Sequence, residues 1–177
     1  MHRMINFYNL AQINKPYKKD ILEAVGRVID SGYYISGPET EKFETNFANY
    51  CNTKYCIGVS NGLDALTLTI RAYIELGLLS EGDEIIVPAN TYIATILSIS
   101  ENNMVPVLVE PQIDMYNIDP LRIEEKITSK TKMIMVVHLY GQPASMGEID
   151  KIAKKHNLLI VEDAAQAHGA EYSGKKV

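Results

Sequence analysis

In VEDAAQAHG, residues 161–169, the apolar run Leu158, Leu159, Ile160 and Val161 ends in Glu162 and Asp163, with Gln166 and His168 following closely. Carboxylates bunched at the end of a buried run need a partner. Glu162 reads as one half of a surface salt bridge. Asp163 reads differently, because the small Ala164 and Ala165 let another group approach, and a cation in a crevice would hold it ionised. In SNGLDAL, residues 60–66, Gly62 permits a tight turn into a helix whose first free N–H groups and positive dipole end suit a phosphate. The plainer reading there is a helix cap, with Ser60 or Asn61 accepting from the first turn and Asp64 complementing the dipole. Asp64 would also repel an anion unless it faces away.

Two more stretches end apolar runs with reactive or aromatic side chains. PANTYIAT, residues 88–95, supplies Tyr92, which can stack on a planar ligand or fill the core. VVHLYGQ, residues 136–142, supplies His138, which reads as a hydrogen-bonded structural histidine, while His2 and His156 read as exposed. One compact ligand would use four of these ends together. The ring nitrogen of pyridoxal 5'-phosphate must stay protonated for the ring to act as an electron sink, and an Asp is its usual partner. Phosphate at Gly62, ring face on Tyr92, pyridinium on Asp163 and phenolic oxygen near Gln166 would satisfy all four.

These residues need a scaffold that gathers strand ends. Short apolar runs at residues 55–59, 84–87, 105–109, 132–137 and 158–161 predict strands, and they alternate with helical spacing at 63–76, 92–101, 120–127 and 147–156. Continuously apolar strands separated by helices imply a parallel sheet covered on both faces, with ligands bound beyond the carboxyl ends of the strands. Ahead of them, an extended start leads to helical spacing at 17–29 and 39–50, separated by the loop SGYYISGP, residues 31–38. The organisation predicted is therefore a helical segment interrupted by that loop, residues 1–54, and an α/β unit, residues 55–177.

Composition narrows the function classes. With 46% hydrophobic and 22% charged residues, the chain is of ordinary globular type. A net charge of −5 with basic residues no more clustered than pairs argues against nucleic acid as a partner. Cys51 and Cys56 have no histidine at zinc-ligand spacing, so no metal is expected, and they read as reduced, partly buried thiols of a cytoplasmic protein. The N-terminal MHRMINFYNL lacks the apolar core of a signal peptide, and no run approaches the ~18 apolar residues of a membrane span, so no membrane partner is expected.

GYYISGPETEKFE, SNGLDAL, GDEIIVPANTYIAT, VHLYGQPASM and VEDAAQAHGA, in this order across nearly the whole chain, resemble the DegT/DnrJ/EryC1/StrS family of sugar aminotransferases. The resemblance implies the large domain of a fold type I aminotransferase, a three-layer α/β arrangement around a mostly parallel sheet. It implies that Gly62 and Leu63 offer backbone N–H groups to the cofactor phosphate, Tyr92 stacks on the ring, Asp163 pairs with the ring nitrogen as the catalytic carboxylate, and Gln166 bonds the ring hydroxyl. Leu63 stands where the family often has Thr or Ser, so a side-chain bond to phosphate is lost there. Family members hold the cofactor on a lysine beyond the AHG segment and continue into a smaller C-terminal domain, so the resemblance implies that residues 1–177 hold neither. Lys175 and Lys176 fall in a turn that resembles the hairpin before that motif, and neither is assigned as the Schiff-base lysine.

The activity implied is amination of a nucleotide-linked keto-deoxysugar with glutamate as donor, by a homodimer in which the SGYYISGP loop lies near the substrate. VHLYGQPASM resembles the branch that aminates C-3 of a dTDP-linked 6-deoxyhexose more than the C-4 branch. Residues 1–177 alone are expected to be inactive. Three alternatives stand beside this: a sugar 3-dehydratase of the same family, a non-catalytic or regulatory protein of this fold, and a doubly wound nucleotide-binding domain with nucleotide phosphate at Gly62.

Overall fold

The computed structural model describes residues 7–177, so His2 lies outside the described residues. The chain divides between Gly58 and Val59 into two compact units.

In the first unit, the expected extended start is instead a short helix, α1 (Leu10–Asn14), and a 3₁₀ turn at Lys15–Tyr17. Asn9 makes the difference: its side chain accepts from the Gln12 N–H at 3.1 Å and so caps the helix. Helix α2 (Lys18–Ser31) follows and stops at Gly32, whose φ of 70° suits a residue without Cβ. Helix α3 (Pro38–Cys51) starts with proline, whose missing N–H costs nothing at that position. Arg27 donates to both carboxylate oxygens of Glu39, at 2.6 and 3.1 Å, and clamps the two helices on either side of the SGYYISGP loop. Gly37 closes that loop, since a Cβ there would lie 2.9 Å from the Tyr33 carbonyl oxygen. Cys51 and Cys56 are free and half-buried. Burial pushes the Cys56 thiol up, and the charge of Glu44 adds to this.

The run at residues 55–59 is not a strand. A strand exists by its ladder, and this segment pairs with none among the described residues. Its polar backbone is met by side chains instead: Glu44 accepts from the Gly58 N–H at 2.7 Å, and the Thr53 hydroxyl donates to the Tyr55 carbonyl at 3.1 Å.

The second unit is built on four parallel strands, β1 (Glu84–Pro88), β2 (Val105–Val109), β3 (Thr131–Val137) and β4 (Leu159–Asp163), in the order β2-β1-β3-β4. Helices α4 (Gly62–Glu75) and α5 (Ile93–Glu101) precede and follow β1. A single turn, α6 (Pro120–Ile123), continues as 3₁₀ through Lys126 before β3, and α7 (Met146–His156) joins β3 to β4. Side chains alternate across the sheet. Ile85, Val87, Met133 and Met135 pack with Ile70 and Ile99 of α4 and α5 on one face. Ile86, Ile134 and Val136 pack with Ile123 and Ile149 of α6 and α7 on the other. The result is the expected three layers. Ile86 and Ile134 are wholly buried, and truncating either to Ala would cost about 2–5 kcal/mol.

Strand order decides where a ligand can enter. From β1 the chain moves outward to β2 through α5, then returns across β1 to β3 and moves the other way to β4. The chains leaving β1 and β3, which are neighbours, go to opposite faces, and such a switch point opens a crevice at the carboxyl ends. Beyond β4 a two-stranded antiparallel hairpin, β5 (Glu171–Tyr172) and β6 (Lys175–Lys176), turns at Ser173 and Gly174, both at positive φ. No helix among the described residues is long and apolar enough to cross a membrane.

Candidate active site

Tyr92, Asp163 and Gln166 lie at or just beyond the carboxyl ends of strands, whereas Gly62 and Leu63 open a helix that follows no strand among the described residues. Tyr92 lies just beyond β1 and is the residue before α5, in extended conformation. Tyr92 is 73% exposed, which removes it from the core and leaves it available for stacking. Asp163 ends β4, where it pairs in register with Val137 of β3. It is half-buried, its Oδ1 accepts from the Ala165 N–H at 3.0 Å, and its carbonyl accepts from the His138 N–H at 3.0 Å. The strand end is therefore held in place from both sides.

Gln166 is exposed, and its Oε1 accepts from the Tyr140 N–H at 2.8 Å. Only the oxygen end of an amide can meet an N–H donor, so the NH₂ end is the one left to donate to a ligand. His138 is 0% exposed; its Nε2 meets Glu162 Oε2 at 2.9 Å and its Nδ1 accepts from the Ala144 N–H at 3.1 Å. That is the structural histidine expected. Glu162, read from sequence as half of a surface salt bridge, is instead the partner of this buried ring. His156 is exposed, as expected, and bonds Glu124 at 2.9 Å.

At the start of α4 the cap reading of SNGLDAL holds, and it leaves the phosphate reading open. Asn61 caps the helix, its Oδ1 accepting from the Asp64 N–H at 2.9 Å. Asp64 turns its carboxylate to donors at Ser60 and Asn61. The N–H groups of Gly62 and Leu63, first in the helix, take no partner among the described residues and can hold an anion. Gly62 does not serve the tight turn expected of it: its φ is not positive and a Cβ would meet nothing within 4 Å. An ordinary helix start suffices because Asn61 makes the turn in extended conformation.

Hydrogen bonds tie Asp163 and Gln166 to the loop after β3, whereas those at the start of α4 stay within Ser60 to Ala65. Helix α4 packs on α5, and the hydrogen bonds between them join Thr67 to Glu101 and Asn102, at the end of α5 away from Tyr92. Sequence reasoning passed over Asn117, a buried amide that joins the loops after β2 and β3. Periodicity carries no signal for it, since it lies in an irregular connection. Taken singly, the free N–H groups of Gly62 and Leu63 suit an anion, the exposed Tyr92 a flat ring and the Asp163 carboxylate a protonated ring nitrogen.

The family model of the DegT/DnrJ/EryC1/StrS aminotransferase family matches residues 16–177. The chain belongs to this family. It is 64% identical to the dTDP-3-amino-3,6-dideoxy-alpha-D-galactopyranose transaminase of Aneurinibacillus thermoaerophilus, over 98% of this chain and 47% of that protein. It is 46% identical to the dTDP-3-amino-3,4,6-trideoxy-alpha-D-glucose transaminase of Streptomyces venezuelae, over 98% of this chain and 45% of that one. Among solved structures, that of S. venezuelae DesV in complex with a ketimine intermediate superposes with a TM-score of 0.94 at 45% identity, over 99% of this chain and 46% of that one. An E. coli GDP-4-keto-6-deoxy-D-mannose-3-dehydratase with bound hydrated PLP superposes with a TM-score of 0.83 at 32% identity, over 88% and 41%. The chain spans about half the length of the curated relatives it matches.

Proposed function

We propose that the protein carrying this sequence is a pyridoxal phosphate-dependent aminotransferase that converts the C-3 ketone of a dTDP-linked 6-deoxyhexose to an amine, with glutamate as donor. The observation that carries the reaction class is Asp163, a half-buried carboxylate braced at the carboxyl end of β4. The relative at 64% identity supports the sugar and the ring position. Bound pyridoxal phosphate supplies an electron sink for bonds broken next to nitrogen.

Each residue of the chain then has a defined task. The amides of Gly62 and Leu63 bind the phosphate at the positive end of α4. Tyr92 covers one face of the ring. Asp163 keeps a proton on the pyridine nitrogen, which an uncharged amide in its place could not do as well. Gln166 donates its NH₂ to the phenolic oxygen. Lys175 and Lys176 take no covalent role in this reading, since they form the returning strand of the hairpin and Lys176 pairs with Glu171 at 3.1 Å. Residues 1–177 alone therefore carry out no half-reaction with glutamate. The same reading makes the protein a homodimer, checked by sedimentation. The free thiols of Cys51 and Cys56 suit the reducing cytoplasm.

The test supplies dTDP-3-keto-6-deoxyhexose, pyridoxal phosphate and glutamate to the protein. The expected result is one amino sugar formed for each 2-oxoglutarate released. A sugar that loses a hydroxyl without gaining nitrogen would place the protein with the dehydratases. Cofactor binding without turnover would favour a regulatory role.

A further inference from the structure

The loop that leaves β3 is braced from several directions. Tyr140 and Gly141 follow one another at φ of 57° and 82°, a conformation disfavoured for tyrosine. Asn117, 2% exposed, brackets the pair: its Oδ1 accepts from the Leu139 N–H at 3.0 Å and its Nδ2 donates to the Gln142 carbonyl at 2.9 Å. Between these two anchors the Tyr140 N–H reaches Gln166 Oε1 at 2.8 Å. The left-handed turn held by Asn117 is what presents that N–H.

We propose that Asn117 is a positioning residue for Gln166. By holding the 139–142 turn it fixes which end of the Gln166 amide faces the loop, and thereby which end faces the ligand. An exposed glutamine without that N–H would be free to present either end, and half its orientations would set oxygen against oxygen at the cofactor's phenolate. The proposal rests on the reading of Gln166 as the donor to that phenolic oxygen.

The visible absorption of bound pyridoxal phosphate reports the hydrogen bond to its phenolic oxygen, so band position and cofactor retention are the readouts, in the protein carrying this sequence. Asn117→Ala is expected to move the band in the same direction as Gln166→Ala and to weaken retention about five- to tenfold, as for one lost hydrogen bond. The double variant should be no weaker than the weaker single one, because both act through one contact. Asn102→Ala is the control. Asn102 is also buried, its Nδ2 donating to the Thr67 and Ser98 carbonyls at 3.1 and 2.8 Å, but it sits at the other end of α5 from Tyr92. That variant should lower the thermal midpoint and leave the band unmoved.

An Asn117→Ala protein that loses stability like Asn102→Ala with an unmoved band overturns the proposal, leaving Asn117 a bracket of the fold. Should Asn117→Ala fail to fold, Gly141→Ala disturbs the same turn through its positive φ and decides by the same band. If Asp163→Asn alters the cofactor spectrum while Gln166→Ala does not, the positioning role falls and the cofactor site stands. If neither alters it, both fall.

Discussion

His138 and Glu162 share a hydrogen bond of 2.9 Å between a side chain that is wholly buried and one that is 39% exposed. Because Nδ1 of the same ring accepts from the Ala144 N–H, the ring proton sits on Nε2 and Glu162 is its acceptor. An acceptor, not a charge, is therefore what the site requires. Glu162→Gln keeps a carbonyl oxygen there and should lower unfolding free energy by less than about 1 kcal/mol, whereas Glu162→Leu strands the Nε2–H and should cost about 1–3 kcal/mol. Urea denaturation of the two variants measures the difference. Equal losses would mean that charge matters and that the ring is held otherwise.

Asp163→Asn should leave the fold intact. An asparagine Oδ1 can still accept from the Ala165 N–H, and the bond from His138 goes to the backbone carbonyl. In the complete enzyme that carries this sequence, the half-reaction with glutamate should nevertheless slow by about two to three powers of ten, comparable to removal of other preorganised electrostatic groups. Stopped-flow loss of the cofactor's visible band measures it. Near-normal rates in a normally folded variant would remove Asp163 from the chemistry.

Tyr92→Ala separates cofactor stacking from folding. At 73% exposure the ring gives the core little, so unfolding free energy should change by no more than about 0.5 kcal/mol. Cofactor retention should fall about two- to tenfold, from the ~0.5–1.5 kcal/mol of a stacked pair. Parallel titration and thermal melts check this. A large loss of stability with unchanged retention would return Tyr92 to the core.

Glu124 carries a pH dependence unrelated to the crevice. Hydrogen bonds from Lys155 and then His156 hold its carboxyl below the usual range. The folded state thus binds fewer protons than the unfolded one across that interval, so the contribution is present above the ordinary carboxyl value and disappears as pH falls through the folded one. The pair is exposed and the effect is small and salt-sensitive. Denaturation midpoints of wild type and Glu124→Gln should differ slightly near neutrality and converge as pH falls below the ordinary carboxyl range. A difference that persists in acid would point to packing instead.

How far the sequence is legible depends on whether a residue's role is local. The runs at β1 and β3 announce themselves because their apolar residues are buried on both faces, β2 reads as a strand by composition although Val105 and Leu108 stay exposed at the sheet edge, and Asn61 before Gly62 marks a helix start by its own chemistry. The run at 55–59 is apolar as those strands are but pairs with none among the described residues, and pairing is not a property of a segment. Strand order likewise depends on which strands meet, so the switch point between β1 and β3 could be expected only as a type. Asn117 is hidden for the same reason. Its partners lie 22 and 25 residues further on, in a loop whose left-handed turn includes a tyrosine that no propensity would place there.

Gly147→Ala sets two effects of similar size against each other. Gly147 is the second residue of α7, and alanine there favours the helix by about 0.5–1 kcal/mol. Its added Cβ would come within 2.9 Å of the Tyr172 hydroxyl oxygen, which accepts from the Gly147 N–H at 3.1 Å. The ring would have to swing away, forfeiting a hydrogen bond worth about 0.5–1.5 kcal/mol net. Global stability should change by less than about 1 kcal/mol, because the terms nearly cancel. The local consequence does not cancel. Tyr172 anchors the β5–β6 hairpin to α7, and a hairpin of such short strands has little stability of its own. Amide exchange across Glu171–Lys176 and tryptic cleavage at Lys175 and Lys176 should therefore accelerate in Gly147→Ala while the β3 amides keep their protection. Tyr172→Phe, which removes the acceptor without adding a clash, should accelerate both in the same way. A hairpin equally protected in all three proteins would show that it is anchored elsewhere.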